Sequence, residues 1–307
     1  MNKIIPYIKL VQRTMPASPL LTVQINLTTN CGGLNCMTCK RSTWPFAQID
    51  CERIQYLFRC LNNMQVETAY ITGGDPLLYP YLFDLLERFR GDVKIGMVTT
   101  AAFKVYPIEF WERLYANVEW CRITLDAVSD STYEKIKGKN LLNNVIDNCE
   151  HISQLQLPKE KVRINTLEIK DLNEEEIPLI MYQAEQWGFD FRLHQVHTFP
   201  EFRSDTKDIA PHLCPTTQIH CMIDADGEVF PCSDIARENG FFKDRNMNHS
   251  YGNINRQSIN SIWKYGSEKR LELYSKRCEE CRWCSPRANE SNRIYSEFIA
   301  SDRGIFL

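Results

Sequence analysis

Residues 20–39 read LLTVQINLTTNCGGLNCMTC, so an apolar run leads directly into three closely spaced cysteines. The run at residues 20–27 predicts a buried strand, and Cys31, Cys36 and Cys39 follow in the loop after it. Three thiolates on one short loop can bind three irons of a four-iron cluster. The fourth iron then has no protein ligand, so the spacing predicts a cluster that binds another molecule and acts on it.

The same three cysteines admit two other interpretations. A structural zinc site normally has four protein ligands, and no fourth Cys or His stands near these three in the sequence. A redox-active pair formed by Cys36 and Cys39 would leave Cys31 without a role. The spacing favours an iron–sulfur cluster, and the zinc and redox interpretations stay open at this point.

Composition and charge limit the class of protein. The chain has 307 residues, 43% of them hydrophobic, which is enough for one large domain or for one domain and a smaller one. The net charge of −3 gives no reason to expect nucleic acid or an anionic membrane as a partner. No apolar run approaches the roughly 18 residues of a membrane span, and residues 1–19 lack the apolar core of a signal peptide. We therefore expect a cytoplasmic protein.

Thirteen cysteines are many for a cytoplasmic chain, where disulfides are rare, and an odd number cannot be fully paired. Besides the early three, six lie late in the sequence: Cys214, Cys221, Cys232, Cys278, Cys281 and Cys284. The other four stand among apolar neighbours and are predicted to be small buried side chains: Cys51, Cys60, Cys121 and Cys149.

Strand-like and helix-like segments alternate from residue 20 to residue 197. Apolar runs predict six strands, at residues 20–27, 68–72, 93–100, 118–126, 162–169 and 189–197. Helical periodicity falls between them, after Asp50 and at residues 79–90, 108–115, 145–155 and 174–187. Such alternation predicts a parallel sheet with right-handed crossovers, either open or curled into a partial barrel.

Ligands of such folds bind at the carboxyl ends of the strands. Besides the cysteine loop, the polar residues that collect there are Gly73, Gly74, Asp75, Thr99, Thr100, Asp126, Asn165, His194 and Gln195. In the motif GGDP at residues 73–76, two glycines let a ligand approach the backbone, and their carbonyl groups can accept hydrogen bonds from an ammonium group. A tight turn without a ligand is the other interpretation of this motif.

A different pattern begins after residue 197. Residues 199–211 are polar and irregular, as in a linker. Residues 220–232 predict a β-hairpin with its turn at Asp226-Gly227, and residues 258–274 predict a helix. We therefore expect a barrel domain at residues 1–200 and a smaller domain at residues 201–307.

These motifs together resemble the radical S-adenosylmethionine (SAM) enzymes. The cysteine loop follows the first strand, GGDP follows the second, and TLDAVSDSTYEKIKG at residues 124–138 resembles a third family motif. The resemblance implies an α/β fold, a partial (β/α)6 barrel, with a catalytic [4Fe-4S] cluster whose unique iron binds S-adenosyl-L-methionine. Reduction of the bound molecule would give a 5′-deoxyadenosyl radical, which abstracts a hydrogen atom from the substrate.

The resemblance also implies roles for individual residues. The ligands of the catalytic cluster would be Cys31, Cys36 and Cys39. The methionine amine would be faced by Gly73, Gly74 and Asp75, and contacts to the ribose or the carboxylate would come from Thr100, Asp126 and Asn165.

The cysteine loop departs from the family pattern twice. The family spacing is C-x3-C-x2-C, and this loop has one more residue between Cys31 and Cys36. Thr38 stands where an aromatic residue usually packs on the adenine.

The late cysteines resemble the auxiliary-cluster extension called SPASM, or its shorter form called twitch. The resemblance lies in HCMIDADGEVFPC at residues 220–232, YGNINRQSINSIW at 251–263 and CEECRWC at 278–284. It implies a small C-terminal domain, a β-hairpin plus a helix, with one auxiliary [4Fe-4S] cluster held by Cys214, Cys232, Cys278 and Cys281. A structural zinc knuckle is the alternative.

Two late cysteines remain outside this ligand set. Cys284 could replace Cys278 or Cys281 as a ligand, and Cys221 lies in a hairpin strand, where a core position is the commoner explanation. Either Cys221 or Cys284 could instead donate a hydrogen atom to a substrate radical, as cysteines do in radical epimerases.

The resemblance implies an oxidoreductase or epimerase of natural-product or peptide biosynthesis. A nearby auxiliary cluster favours net oxidation, such as dehydrogenation or cross-linking, because it can take up an electron from the substrate radical. The substrate would be a peptide or a small sugar-like or nucleoside-like metabolite, contacted by Arg41, Arg192 or His194, with a flavodoxin or ferredoxin as electron donor. A scaffold or sensor that binds zinc or a cluster without catalysis is the alternative from another class.

Overall fold

Nine strands form one sheet in the part of the chain that the structure, a computed structural model, describes: residues 18–39, 45–88, 91–195, 214–233 and 249–275. They are β1 (Thr22–Asn26), β2 (Thr68–Thr72), β3 (Lys94–Thr99), β4 (Trp120–Thr124), β5 (Val162–Glu168), β6 (Asp190–Gln195), β7 (His220–Ile223), β8 (Glu228–Phe230) and β9 (Gly252–Asn253). Their order across the sheet is β6-β5-β4-β3-β2-β1-β7-β8-β9. Strands β1 to β7 pair in parallel with their neighbours, and β8 and β9 add antiparallel pairs.

Helices connect the parallel strands. They are α1 (Cys51–Asn63), α2 (Leu82–Arg88), α3 (Ile108–Tyr115), α4 (Asp130–Lys137), α5 (Leu142–Ser153), α6 (Ile177–Gln186), α7 (Thr216–Ile219), α8 (Ile259–Tyr265) and α9 (Ser267–Ser275). The mixed α/β fold and its six predicted strands, β1 to β6, are confirmed, with strand ends that differ by a few residues. Among the described strands β6 pairs only with β5, so the sheet is open at that edge.

Local sequence explains where the best-predicted elements begin. Asp50 caps α1, its carboxylate accepting hydrogen bonds from the backbone N–H groups of Glu52 and Arg53. The predicted stripe of α1 is buried: Ile54, Leu57, Phe58 and Leu61. The hairpin β7–β8 is confirmed, and Gly227 in its turn has the positive φ of +88° that glycine readily adopts.

The structure differs from the predicted helices at two places. Helix α4 was not predicted because its sequence, DSTYEKIK, has only two apolar residues, Tyr133 and Ile136, and so no apolar stripe. Its ends are set by capping, since the Ser129 hydroxyl accepts from the N–H of Thr132 and Gly138 takes a φ of +76°. The single helix predicted at residues 258–274 is two helices, α8 and α9, separated at Gly266.

The C-terminal hairpin is part of the same sheet as β1 to β6. β7 lies parallel to β1, with Thr22 opposite His220 and Ile25 opposite Ile223. The predicted domain boundary at residue 200 lies outside the described residues and stays a prediction.

Strand register separates apolar from polar side chains. One face of the sheet packs with the helices into a single apolar cluster, to which the strands contribute Val23, Ile25, Ala69, Ile71, Ile95, Met97, Cys121, Ile123 and Ile164. The residues that alternate with these share the opposite face, called the polar face below: Thr22, Gln24, Asn26, Tyr70, Trp120, Arg122, Thr124, Asn165, Arg192, His194 and His220. In the described part of the chain, no helix has the length and apolar character needed to cross a bilayer.

Candidate cluster-binding site at the strand ends

Three thiols follow β1 at the carboxyl end of the sheet. Cys31 and Cys36 are half-buried and Cys39 is exposed, and none of the three forms a disulfide. Two short turns shape the loop that carries them, because the N–H of Leu34 donates to the carbonyl of Cys31 and the N–H of Cys39 to that of Cys36. Accessible thiols on one short loop fit a cluster in which each cysteine binds its own iron.

The end of α4 supports the cysteine loop from below. The N–H groups of Asn35 and Met37 donate to the carbonyls of Lys137 and Ile136, both at 2.9 Å. These are carbonyl groups of the last helical turn, which have no partner inside the helix. This helix, which was not predicted from the sequence, therefore fixes the backbone on both sides of Cys36.

Two glycines accommodate the extra residue between Cys31 and Cys36. Gly32 and Gly33 have φ values of +57° and +80°, a region that other residues rarely adopt. A Cβ at Gly32 would lie 2.0 Å from the ring of Phe103, and one at Gly33 would lie 2.5 Å from Nζ of Lys139. The longer spacing is thus absorbed by a left-handed Gly-Gly step.

The GGDP turn packs backbone to backbone against the start of the cysteine loop. The N–H of Gly74 donates to the carbonyl of Thr28 at 2.6 Å, and that of Asp75 to Asn30 at 2.8 Å. A Cβ at Gly73 would lie 2.5 Å from the Thr28 carbonyl oxygen, and one at Gly74 only 2.1 Å from that of Asn30. Close approach of two loops therefore requires both glycines. Among the described residues, none donates a hydrogen bond to the Gly73 or Gly74 carbonyl, so both remain able to accept from an ammonium group.

Asp75 ties the end of β2 to the end of β3. Its buried carboxylate accepts hydrogen bonds from the N–H of Leu77, the hydroxyl of Thr99, and both the N–H and the hydroxyl of Thr100, at 2.7–2.9 Å. Burial raises the pKa of Asp75, and these hydrogen bonds oppose that rise. Asp75 and Thr100 thus hold each other in place, and their predicted contacts to SAM stay predictions.

Asp126 belongs to a buried ion pair below the cysteine loop. Its carboxylate lies 2.5 Å from Nζ of Lys137 and also accepts from the N–H of Leu167 at 2.7 Å. Burial alone would lower the pKa of Lys137, but the Asp126 charge holds it above the usual value. Burial raises the pKa of the nearby Cys36 thiol, and the Lys137 charge counteracts this. The ribose contact predicted for Asp126 stays a prediction.

Asn165 is the predicted site residue with an unused polar atom. It lies on the polar face, between Thr124 of β4 and Arg192 of β6. Its side-chain oxygen is buried and accepts no hydrogen bond from the described residues. A hydroxyl or amine donor of a ligand would satisfy it. Arg192 and His194 are half-buried on the same face, and Arg41 lies outside the described residues.

A buried polar chain crosses the polar face beside this site. The Tyr70 hydroxyl donates to Gln24, Gln24 donates to Asn26, and Asn26 donates to Asp224, at 2.7, 3.1 and 3.0 Å. His220, beside it, shares a hydrogen bond with the Thr22 hydroxyl. Sequence reasoning missed this chain, although Thr22, Gln24 and Asn26 alternate with apolar residues in β1, a period-two pattern that marks a polar sheet face.

The late cysteines are described only in part. Cys214 precedes α7 and Cys232 follows β8, and both are half-buried. Cys278, Cys281 and Cys284 lie outside the described residues, so the predicted ligand set stays a prediction.

Cys221 occupies a core position. It pairs in register with Val23 and belongs to the apolar cluster on the helix-covered face. Burial raises its pKa to about 12. A hydrogen-atom donor must reach the substrate, and this thiol faces away from the polar side of the sheet. The placement favours the core interpretation of Cys221.

A single metal ion has no ready-made site in the described part of the chain. No three His, Cys, Asp or Glu side chains there converge on one point. A four-iron cluster does not require such convergence, because each cysteine binds a different iron.

Two family models match the chain. The Radical SAM superfamily matches residues 25–181, about half of the chain, and the iron–sulfur cluster-binding domain called SPASM matches residues 214–285.

Relatives in sequence include GTP 3′,8-cyclases. The probable GTP 3′,8-cyclase of Thermoplasma volcanium is 24% identical over 197 residues, which cover 64% of this chain and 60% of the relative. The GTP 3′,8-cyclase of Synechocystis sp. is 22% identical over 204 residues, which cover 62% of this chain and 61% of the relative. The chain therefore spans less than two thirds of the length of these relatives.

Solved structures share the fold. SuiB of Streptococcus suis, bound to S-adenosylmethionine, superposes with a TM-score of 0.67 at 14% identity, covering 94% of this chain and 76% of SuiB. The protein anSMEcpe with bound AdoMet superposes with a TM-score of 0.61 at 12% identity, covering 92% and 93% of the two chains. A further SuiB structure contains the precursor peptide SuiA.

Proposed function

Because this chain belongs to the radical SAM superfamily, we propose that it cleaves S-adenosylmethionine reductively and uses the resulting 5′-deoxyadenosyl radical to abstract a hydrogen atom from a substrate. The chain is a radical SAM enzyme with a SPASM domain, and these two domains carry a catalytic and an auxiliary [4Fe-4S] cluster. When bound, the catalytic cluster supplies the electron for the cleavage. The electron donor we propose is a flavodoxin or ferredoxin.

The observation that carries the proposal is the joining of the cysteine loop and the GGDP turn into one hydrogen-bonded unit. Gly74 and Asp75 donate to Thr28 and Asn30, just before Cys31. The unused carbonyls of Gly73 and Gly74 therefore lie beside the loop that presents the thiols. An amino acid bound through its amine and carboxylate would find acceptors at this place, whereas a scaffold without catalysis has no use for them.

The surrounding residues would position the bound molecule without reacting. Asp75, Thr99 and Thr100 hold the ends of β2 and β3 together, and the ion pair of Asp126 with Lys137 holds α4 under the loop. The free side-chain oxygen of Asn165 is our candidate for a contact to a ribose hydroxyl. The substrate would lie along the polar face, near Arg192 and His194.

For the overall reaction we propose oxidation, either dehydrogenation or cross-linking. Epimerisation needs a hydrogen-atom donor at the substrate, and of the two predicted donors Cys221 lies on the opposite face of the sheet. The other predicted donor, Cys284, lies outside the described residues, so epimerisation through it stays the alternative. The relatives named GTP 3′,8-cyclase support a nucleoside-like substrate, and the SuiB structure with its precursor peptide supports a peptide. Because the chain covers only part of its relatives, we retain both substrate classes.

The decisive experiment measures 5′-deoxyadenosine by chromatography after anaerobic reconstitution and reduction with dithionite. We expect production by the wild-type chain and none by Cys36→Ala. Cys51→Ala is the matched control, because Cys51 is also half-buried but lies in α1 away from the loop, and it should produce normally. Equal production by Cys36→Ala and Cys51→Ala would contradict the proposal.

A further inference from the structure

A buried tyrosine lies beside the strand that precedes Cys232, one of the described late cysteines. Tyr251 begins the segment that leads into β9, and its N–H donates to the carbonyl of Val229, three residues before Cys232. Its ring packs against Trp263, with centroids 6.4 Å apart and planes at 76°. The side chain is only 8% exposed.

The Tyr251 hydroxyl has no hydrogen-bond partner among the described residues. A buried hydroxyl left without a partner costs about 1–3 kcal/mol. Buried polar groups in native proteins are almost always satisfied, so an unpaired one indicates a missing acceptor or donor.

The hydroxyl's surroundings indicate what that partner is. Burial raises the pKa of Tyr251, the Arg270 charge lowers it, and the thiols of Cys221, Cys232 and Cys214 raise it. Of these thiols, Cys232 and Cys214 are the described candidate ligands of the auxiliary cluster, and the backbone hydrogen bond from Tyr251 to Val229 places the residue beside the strand that precedes Cys232. Thiolate and sulfide sulfurs of such a cluster accept hydrogen bonds.

Neighbouring contacts fix this arrangement. The Arg270 guanidinium lies 3.8 Å from the centre of the Trp263 ring, and the Arg270 carbonyl accepts from the side chain of Gln218 at 2.8 Å. The Thr217 hydroxyl donates to the carbonyl of Cys214 at 2.8 Å. Helix α9, helix α7 and the backbone of Cys214 are thus linked around Tyr251.

We propose that the Tyr251 hydroxyl donates a hydrogen bond to a sulfur of the auxiliary cluster and thereby raises the reduction potential of that cluster. This inference rests on the proposed function and on the predicted cluster ligands Cys214 and Cys232. A hydrogen bond to a cluster sulfur offsets negative charge, and reduction adds negative charge. The hydrogen bond therefore stabilises the reduced cluster more than the oxidised one. Tyr251 would make the auxiliary cluster a better electron acceptor.

The test uses the full chain with Cys31→Ala, Cys36→Ala and Cys39→Ala, so that only the auxiliary cluster contributes to the EPR spectrum. In this background we compare the midpoint potential with and without Tyr251→Phe, by redox titration followed by EPR. We expect a drop equivalent to about a tenfold change in the ratio of reduced to oxidised cluster, about 59 mV for a one-electron couple.

Tyr115→Phe is the matched control. Tyr115 is also buried, and the thiols beside its hydroxyl belong to Cys121 and Cys149, which are not candidate ligands. Its substitution should leave the potential unchanged. Equal potentials in the background and in Tyr251→Phe would overturn the inference, as would equal drops in both tyrosine variants. A background variant that binds no iron would instead contradict the proposed function.

A second variant tests the inference even if Tyr251→Phe folds poorly. Replacement of Tyr251 by a fluorinated tyrosine keeps the ring and makes the hydroxyl a stronger donor. The midpoint potential should then rise, and an unchanged potential would overturn the inference.

Discussion

The buried ion pair below the cysteine loop gives the most stringent test of the structure. Nζ of Lys137 lies 2.5 Å from the Asp126 carboxylate, and the two side chains are 5% and 0% exposed. Lys137→Met removes the cation and leaves a buried carboxylate with no opposite charge beside it. Removing one partner of such a pair costs about 3–5 kcal/mol, a large fraction of the roughly 5–15 kcal/mol that stabilises a domain.

The measurement is urea unfolding of the iron-free chain, followed by circular dichroism under anaerobic conditions. Lys135→Met is the matched control, because Lys135 is on the same helix but exposed. Its substitution should change the free energy of unfolding by no more than about 0.5 kcal/mol.

A double variant separates the charge from the packing. Asp126→Asn keeps an oxygen that can accept from the N–H of Leu167 and removes the unpaired charge. Combined with Lys137→Met it should recover most of the lost stability. The reasoning is refuted if Lys137→Met is as stable as Lys135→Met, or if the double variant is no more stable than Lys137→Met alone.

Three other predictions follow from single contacts. Gly74→Ala should abolish 5′-deoxyadenosine formation and lower the melting temperature, because its Cβ would lie 2.1 Å from the Asn30 carbonyl oxygen. Gly188→Ala, with open space around its Cβ, should lower the free energy of unfolding by only about 1 kcal/mol and keep the activity. Similar behaviour of the two variants would contradict the role of the turn. Burial alone would raise the pKa of Glu176, but hydrogen bonds from Ser129 and Val128 lower it below 4.5. The ionised Glu176 therefore stabilises the fold above that pH, and this stabilisation is lost as the pH falls through the lowered pKa. Urea midpoints should therefore separate Glu176→Gln from the wild type at pH 7 and converge in acid, and a difference independent of pH would count against this. Tyr70→Phe removes the hydrogen-bond donor to Gln24 and should destabilise the protein by about 1–3 kcal/mol in the same assay. Tyr81→Phe, at an exposed position, should not. Equal stabilities of the two variants would show that the buried polar chain contributes nothing to stability.

Much of the fold follows from the sequence because strands β1 to β6 are strongly patterned. β2 was predicted to the residue, and α1 was predicted from its cap and its apolar stripe. α4 could not be found in this way, because its stability comes from capping and from the cysteine loop above it. Periodicity in the sequence detects apolar residues, and of the three buried residues of α4, Tyr133, Ile136 and Lys137, one is a lysine.

The candidate site was likewise predicted only in part from the sequence. The spacing of Cys31, Cys36 and Cys39 pointed to a cluster, but nothing in it revealed that Gly32 and Gly33 absorb the extra residue. The glycines of GGDP were interpreted as an approach for a ligand, and the structure adds a contact between two loops. Such contacts join segments tens of residues apart, and no local pattern encodes their partner.

The orientation of the Cys221 side chain likewise depends on a contact distant in sequence. Which face of a sheet a residue occupies depends on which strand lies beside it. The hairpin was predicted as an element of its own, so its pairing with β1 and the orientation of the thiol became visible only in three dimensions.

The position of β7 beside β1 also constrains how the chain can be made. β1 emerges from the ribosome first, yet one of its two edges is covered only when His220 and its neighbours arrive, 198 residues after Thr22. Until then the nascent sheet exposes an unpaired strand edge, the kind of surface that recruits other chains into aggregates. Contacts this distant in sequence also slow folding. Production of a fragment that stops before residue 220 is therefore expected to give insoluble protein, and chaperone binding over this interval should raise the yield of the whole chain.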